Sequence, residues 1–311
     1  MADENWERRV LGELALAGLQ EQRRARRWSI FFRLVTIGLV LLGLVVVIGS
    51  AETKRACSDK CTAVVQIDGE LDHNGRTSAE NVITGLQAAF KDKGTRGVVL
   101  RINSPGGSPV QAGQINDEIR RLRGKYPDTP IYAVVEEMCA SGAYYVAVAA
   151  DRIYVDKASL IGSIGVILDS FGFVGTMEKL GVERRAITAG ENKAFLDPFS
   201  PLSPIQKEYA QRLLDEIHQQ FIAVVKEGRG SRLKDSPELF SGLVWNGKRG
   251  IELGLADAIG NVDYVAREVI KAEDVVDFTV QENIAERVAR KFGATVARNL
   301  GALLGASPQW R

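Results

Sequence analysis

Histidine is scarce in this chain, which has only His73 and His218 among its 311 residues. A serine hydrolase of the triad type needs a histidine beside its nucleophile. His73 lies in a polar turn, and His218 lies among glutamate and glutamine on a long amphipathic stretch, where we predict a solvated surface residue. Neither position is typical of a catalytic base, so a triad is disfavoured.

Cysteine is also rare, with Cys57, Cys61 and Cys139 in the whole chain. Three cysteines are too few for a disulfide framework, and the Cys-x-x-x-Cys pair has no second ligand pair that would indicate zinc. We therefore predict no metal and no cofactor. Cys57 and Cys61 are either a local disulfide in an oxidising compartment or two unpaired thiols in a linker.

Net charge is nearly absent, because 40 basic residues stand against 39 acidic ones, giving +1. Nothing in this balance favours nucleic acid as a partner. The fractions of 45% hydrophobic and 25% charged residues are those of an ordinary globular protein with a full core.

One long apolar segment, residues 28–50, follows a charged, amphipathic arm that ends in a basic cluster. About 20 residues at roughly 1.5 Å each suffice to cross about 30 Å of hydrocarbon, so we predict a transmembrane anchor in a lipid bilayer. Since the basic cluster precedes the span, the N-terminus is expected in the cytoplasm and the rest outside it. The alternative is a signal peptide cleaved at Gly49-Ser50-Ala51.

Beyond the linker, β-branched runs alternate with amphipathic stretches about every 30 residues, which predicts parallel strands in an α/β core. The expected strands are Ala63–Ile67, Gly97–Ile102, Ile131–Val135, Ile153–Val155 and Asp277–Val280. The expected helices are Ser78–Phe90, Val110–Arg123, Gly142–Ala150, Ser203–Glu227, Pro237–Leu255 and Val262–Lys271.

The last 30 residues have apolar side chains every fourth residue and basic ones on other faces, which predicts a basic amphipathic helix. It either docks on its own domain or a neighbouring subunit, or contacts an anionic membrane surface. The predicted organisation is therefore an arm (1–27), an anchor (28–50), a linker (51–61), a core domain (62–281) and a C-terminal helix (282–311).

Ser141 lies where a buried strand meets a turn of small residues and a helix begins. A serine at such a turn is placed either as a nucleophile or as an ordinary helix N-cap. Upstream, Gly106 and Gly107 follow another strand and can present backbone N–H groups to an oxyanion or a phosphate. This loop lacks the Gly-Lys-Ser/Thr of a Walker loop and the third glycine of the dinucleotide fingerprint.

With no well-placed histidine, a base for Ser141 has to be sought among the lysines. A lysine accepts a proton only when neutral, and holding it neutral at pH 7 requires desolvation. Lys193 lies in a loop with apolar neighbours on one side, unlike Lys207 and Lys226 on the long helix. Lys193 is therefore one candidate base, and the residues alone leave the choice open.

Several short motifs occur together and in order between about Ala63 and Asp263. They are Leu100–Gly107 (LRINSPGG), Ala140–Tyr145 (ASGAYY), Ala149–Asp151 (AAD), Ile161–Val166 (IGSIGV) and Trp245–Lys248 (WNGK). Together they resemble the signal peptide peptidase family of the SppA and SohB type, which are membrane-anchored serine-lysine peptidases.

The resemblance implies a Clp-protease/crotonase-like core of repeated β-β-α units. It also implies that Ser141 is the nucleophile, Lys193 the general base and Ser163 the residue that orients the lysine, with the Gly107 and Gly142 N–H groups as the oxyanion hole. The implied substrates are peptides, including remnants of signal peptides, at the extracytoplasmic face of a bacterial inner membrane. The family further implies a homo-oligomer with active sites at subunit contacts.

Two rival functions use the same fold. A crotonase-like acyl-group enzyme would use the Pro-Gly-Gly loop for a thioester and would need neither Ser141 nor Lys193. An inactive membrane scaffold would keep the fold for assembly alone.

Overall fold

The computed structural model of the protein describes residues 22–24, 26–43 and 56–280. Residues 26–43 are helical, and Arg55–Gln281 form a compact unit of their own. No helix within the described residues is both long and apolar enough to cross a membrane. The last part of the predicted anchor (residues 44–50), most of the predicted arm and the predicted C-terminal helix lie outside the described residues.

Strands and helices alternate through the first part of the compact unit, as the sequence pattern predicts. The strands are β1 (Cys61–Asp68), β2 (Thr95–Ser104), β3 (Ile131–Ala140), β4 (Arg152–Val155), β5 (Leu160–Gly162), β6 (Val244–Asn246), β7 (Ala258–Ile259) and β8 (Val275–Asp277). The helices are α1 (Ala79–Lys91), α2 (Pro109–Lys125), α3 (Gly142–Ala147), α4 (Val174–Leu180), α5 (Pro204–Arg229), α6 (Gly247–Glu252) and α7 (Val262–Tyr264). A π-helical turn (Val265–Ile270) continues α7.

The eight strands form one sheet in the order β6-β5-β3-β2-β1-β8, with β4 pairing with β3 and β7. All pairs are parallel except β5 with β6. Because β2 and β3 are parallel, their carboxyl ends lie side by side at the same end of the strands. The predicted α/β fold is confirmed.

The core lies mainly on the helix-covered face of this sheet. Successive strand residues point to opposite faces, so Ala63, Val65 and Ile67 pack with α1, α2 and α3 while Val64 faces the other side. A smaller cluster there includes Val99, Val134, Tyr154 and Val265. Strands buried on both faces explain the continuous apolar runs in the sequence.

The predicted helix over Pro237–Leu255 is wrong. Turns occupy its first part, β6 pairs Trp245 with Ile161, and only α6 is helical. The break has a local cause, because Gly242 has φ +86° and the side chain of Asn246 accepts a hydrogen bond from the Arg249 N–H as the N-cap of α6. The last strand, β8, also begins two residues earlier than predicted.

The N-terminal end of β1 is held by a disulfide. The structure joins Cys57 to Cys61, which is the first of the two arrangements that the sequence allows. Cys61 is buried, and the Cys57 N–H donates to Asp92 Oδ2 (3.3 Å) in the turn between α1 and β2. The disulfide loop therefore packs against this turn.

Candidate active site

Ser141 occupies a strained turn between β3 and α3. Its backbone has φ +52° and ψ −125°, a conformation that residues other than glycine rarely adopt. Its side chain makes no capping hydrogen bond to α3, whereas Ser78 and Ser108 cap α1 and α2 in the ordinary way. In the structure, the Ser141 hydroxyl therefore does not act as a helix N-cap.

The glycine loop after β2 lies directly against this turn. A Cβ atom on Gly106, which has φ +100°, would lie 2.6 Å from Gly142 N and 2.9 Å from Ser141 Cβ. Only glycine permits this approach. A Cβ atom on Gly142 would in turn lie 3.4 Å from Gly107 N. The fold therefore brings Gly107 and Gly142 together beside Ser141.

The two glycines of this loop differ in the hydrogen bonding of their N–H groups. The Gly106 N–H donates to Ser104 Oγ (3.1 Å), and Ser104 is fully buried at the end of β2. Neither the Gly107 N–H nor the Gly142 N–H has an acceptor within residues 56–280. Two neighbouring N–H groups without an acceptor, close to a serine hydroxyl, are what an oxyanion hole requires.

The segment after β1 holds the glycine loop from its other side. The Leu71 N–H donates to the Gly106 carbonyl (2.7 Å), and the Ser108 N–H donates to the Leu71 carbonyl (2.9 Å). Leu71 is buried, whereas His73, two residues further on, is exposed. The role of Leu71 could not be predicted from the sequence, because it depends on a contact between segments about 35 residues apart.

Ser163 lies next to the nucleophile turn through its neighbour Gly162. The Ser141 N–H donates to the Gly162 carbonyl (2.9 Å), and the Ser163 N–H donates to the Leu243 carbonyl (2.8 Å). Ser163 is strained as well, with φ +50°. A Cβ atom on Gly162 would lie 2.7 Å from Trp245 Cε3, so the IGSIGV and WNGK motifs meet here.

Cys139 is two residues before Ser141 but is not available as an alternative nucleophile. It is fully buried, and burial raises the pKa of its thiol well above the ordinary value. The neutral thiol is thus a packing group of β3.

Lys193 is not brought to Ser141 by any contact within the described chain. It lies in a series of turns over residues 190–197 and is exposed. Its apolar neighbour Phe195 packs edge-to-face on Tyr209 of α5, at 5.5 Å between ring centroids. The described residues therefore do not provide the desolvation that is expected around a lysine base.

The prediction that His218 is a solvated surface residue is wrong. It is half-buried, and its Nε2 lies 3.0 Å from the carbonyl oxygen of Ile164, next to Ser163. Because a carbonyl can only accept, Nε2 carries the proton in this contact. His218 thus fixes the strand end that carries Ser163.

The fold and site define an α/β protein with a hydrolase-like serine turn, and comparison with known proteins identifies its family. Residues 125–276 match peptidase family S49. A putative protease of Methanocaldococcus jannaschii is 31% identical over 67% of this chain and 68% of its own length. A putative signal peptide peptidase SppA of Enterococcus faecium is 29% identical over 74% of this chain and 68% of its own length. The chain belongs to peptidase family S49.

A further relative, more similar in sequence, is not named as a peptidase. A sequence of Brucella melitensis named as an Na(+)/H(+) antiporter NhaA is 46% identical over 57% of this chain but only 24% of its own length. The chain thus spans about a quarter of that protein. Among solved structures, ClpP1 of Listeria monocytogenes is similar over 64% of this chain and 91% of its own, with 15% identity and a TM-score of 0.40.

Proposed function

We propose that this protein is a membrane-anchored serine endopeptidase in which Ser141 is the nucleophile and Lys193 the general base. The observation that carries the proposal is the Ser141 turn, whose strained backbone, uncapped hydroxyl and neighbouring Gly107 and Gly142 N–H groups serve no evident purpose in stability. Strained backbone that persists beside a free nucleophile is typical of catalytic sites.

In the proposed mechanism, Lys193 removes the proton of the Ser141 hydroxyl as its oxygen attacks the scissile carbonyl. The Gly107 and Gly142 N–H groups donate to the oxyanion of the tetrahedral intermediate. Lys193 then gives the proton to the leaving amine, and water releases the acyl group from Ser141 by the reverse sequence. Ser163 accepts a hydrogen bond from the lysine amine and orients it without adding a charge.

The exposure of Lys193 supports assembly with further copies of the chain. Residues 165–202 carry large apolar side chains that are unusually exposed for a folded protein, among them Ile167 (79%), Phe171 (76%) and Ile187 (101%). A second copy packed on this segment would remove water from Lys193. The proposed homo-oligomer therefore has its active sites at subunit contacts.

For the substrate, we propose extended peptides, including remnants of signal peptides, at the extracytoplasmic face of a cell membrane. Residues 28–50 would anchor the protein in the bilayer with the N-terminus in the cytoplasm. The name of the Enterococcus faecium relative supports this substrate class. Protease added to intact spheroplasts should digest the part of the chain after Ser50, and protection of that part would contradict the orientation.

The decisive experiment is labelling of the full chain in detergent with a fluorophosphonate. We expect the wild type to be labelled and to cleave peptide, and Ser141→Ala to do neither. Ser78→Ala is a matched control, because it removes a serine that really caps a helix, accepting from the Asn81 N–H (3.4 Å). Unlabelled wild type would favour the thioester enzyme or the inactive scaffold instead.

A further inference from the structure

Asn116 is a buried polar residue that the proposed mechanism does not use. It is 1% exposed and lies in the middle of α2, the helix that begins directly after the glycine loop. Its Nδ2 donates to the carbonyl oxygen of Tyr145 in α3, at 2.6 Å. Asn116 therefore connects the two helices whose first residues flank the predicted oxyanion hole.

The Tyr145 carbonyl depends on this side chain. α3 has only six residues, and the N–H groups that follow it donate to Tyr144, Val146 and Ala147. Within the described part of the chain, no backbone N–H donates to the Tyr145 carbonyl. A buried carbonyl without a donor costs about 1–3 kcal/mol, so Asn116 is its required partner.

The orientation of the Asn116 amide is itself fixed. Arg120 Nε donates to Asn116 Oδ1 at 2.7 Å, and Arg120 also pairs with Glu227 near the end of α5. Because the oxygen of the amide faces Arg120, its NH₂ group must face Tyr145. Tyr145 in turn donates its N–H to the Ser141 carbonyl at 3.0 Å. A hydrogen-bonded path thus leads from α5 through α2 to the nucleophile turn.

We propose that Asn116 is a positioning residue that sets the distance between the glycine loop and the Ser141 turn, and so the separation of the Gly107 and Gly142 N–H groups. This inference rests on the proposed function. Displacement of reacting groups by about 1 Å can cost about 100-fold in rate. Loss of the Asn116 donor therefore acts on the chemical step rather than on substrate binding.

The test is Asn116→Asp in the full-length protein. The carboxylate has the size of the amide and still accepts from Arg120, but it cannot donate to Tyr145 and repels that carbonyl. We expect kcat and the rate of fluorophosphonate labelling to fall together by about tenfold or more, with KM changed less than about twofold. Arg120→Met, which frees the amide to rotate, should lower kcat less and in the same direction.

Thr62→Val is the matched control. Thr62 is fully buried, and its hydroxyl donates to the Ala272 carbonyl at 2.7 Å, at the end of the sheet opposite to Ser141. This variant loses a comparable bond and should lower the melting temperature without changing kcat. If Asn116→Asp also lowers only the melting temperature, or raises only KM, the positioning role is overturned. An unlabelled, inactive wild type would instead refute the proposed function.

Discussion

At the scale of single residues, backbone strain is concentrated at the candidate site. Only four residues other than glycine have positive φ in the described chain, and two of them are Ser141 and Ser163. The sequence predicts both as site residues through the family motifs, but their strain could not be predicted. It arises because β3, β5 and the glycine loop all fix the same short turn.

Replacing Ser141 by glycine should stabilise the protein relative to Ser141→Ala. Residues other than glycine incur strain of about 1–3 kcal/mol at φ +52° in the folded state, and glycine does not. This gain is larger than the cost of about 0.4–1 kcal/mol that glycine adds through the greater conformational entropy of the unfolded chain. We expect a difference of about 1 kcal/mol in urea unfolding. At Glu208, an exposed position inside α5, glycine should instead be about 1 kcal/mol less stable than alanine. Equal stabilities of the two Ser141 variants would show that the turn is unstrained.

Lys193→Arg should abolish peptide cleavage while leaving the fold intact. A guanidinium keeps its proton at any working pH and cannot serve as a base. Lys193 is exposed within a single copy, so the larger side chain does not disturb the fold of that copy. The measurement is kcat/KM with an extended peptide. Lys179→Arg, an equally exposed change on α4, is the control. Cleavage at the wild-type rate by Lys193→Arg would exclude the dyad.

At the scale of elements, the sequence best predicts the helices and strands that have a clear apolar periodicity of their own. The strands β1, β2 and β4 and the helices α1, α2 and α5 lie within two residues of their expected bounds, and β3 ends five residues later than expected. Each has its own apolar pattern, and each of the three helices begins at a capping serine. The failure over Pro237–Leu255 is partly of another kind, because the residues that break the helix, Gly242 and Asn246, are local, but the strand that replaces part of it is not. β6 is a strand only because Trp245 pairs with Ile161, about 80 residues earlier in the chain, and no local signal reports that pairing.

The docking of α5 on the sheet depends on a buried ion pair. Arg229 at the end of α5 is 1% exposed, and its two terminal nitrogens contact both oxygens of Asp257 (2.8 and 3.0 Å). Removing one partner of such a pair leaves a buried charge uncompensated, at a cost of about 3–5 kcal/mol. Asp257→Asn should therefore lower the free energy of unfolding by about this amount. Asp215→Asn is the control, because this carboxylate is exposed and accepts a hydrogen bond from Gln211.

The same pair makes stability depend on pH. Burial acts to raise the pKa of Asp257, but the hydrogen bonds and charge of Arg229 outweigh it, so this pKa is lower in the folded state than in the unfolded chain. The contribution of the pair is present above the unfolded value of about 3.9 and is lost as the pH falls through the folded one. Below about pH 4, the free energy of unfolding in urea should therefore fall more steeply in the wild type than in Asp257→Asn, which keeps the other carboxyl groups.

At the scale of the whole molecule, the long helix α5 is buried near its C-terminal end and exposes apolar side chains near its N-terminal end. Along α5, Phe221 and Val225 are buried in the core, whereas Ile205, Tyr209 and Leu213, spaced by four on the same helix, are 76%, 54% and 41% exposed. Together with residues 165–202, this half of α5 forms an apolar surface that carries Lys193. Nothing within residues 56–280 covers this surface, and packing against another copy of the chain would cover it.

Mixing two inactive variants tests whether the active site is shared between copies. In a ring where Ser141 of one copy meets Lys193 of the next, Ser141→Ala and Lys193→Arg subunits assembled together should regain about a quarter of the wild-type activity, because that fraction of the contacts carries both intact residues. The proteins are to be unfolded, mixed in equal amounts and reassembled, and the fluorophosphonate label should then appear only on Lys193→Arg subunits. Each variant reassembled alone is the control. If activity does not return although mixed oligomers form, the serine and lysine belong to the same copy, and the exposed segment around Lys193 must fold back onto its own Ser141.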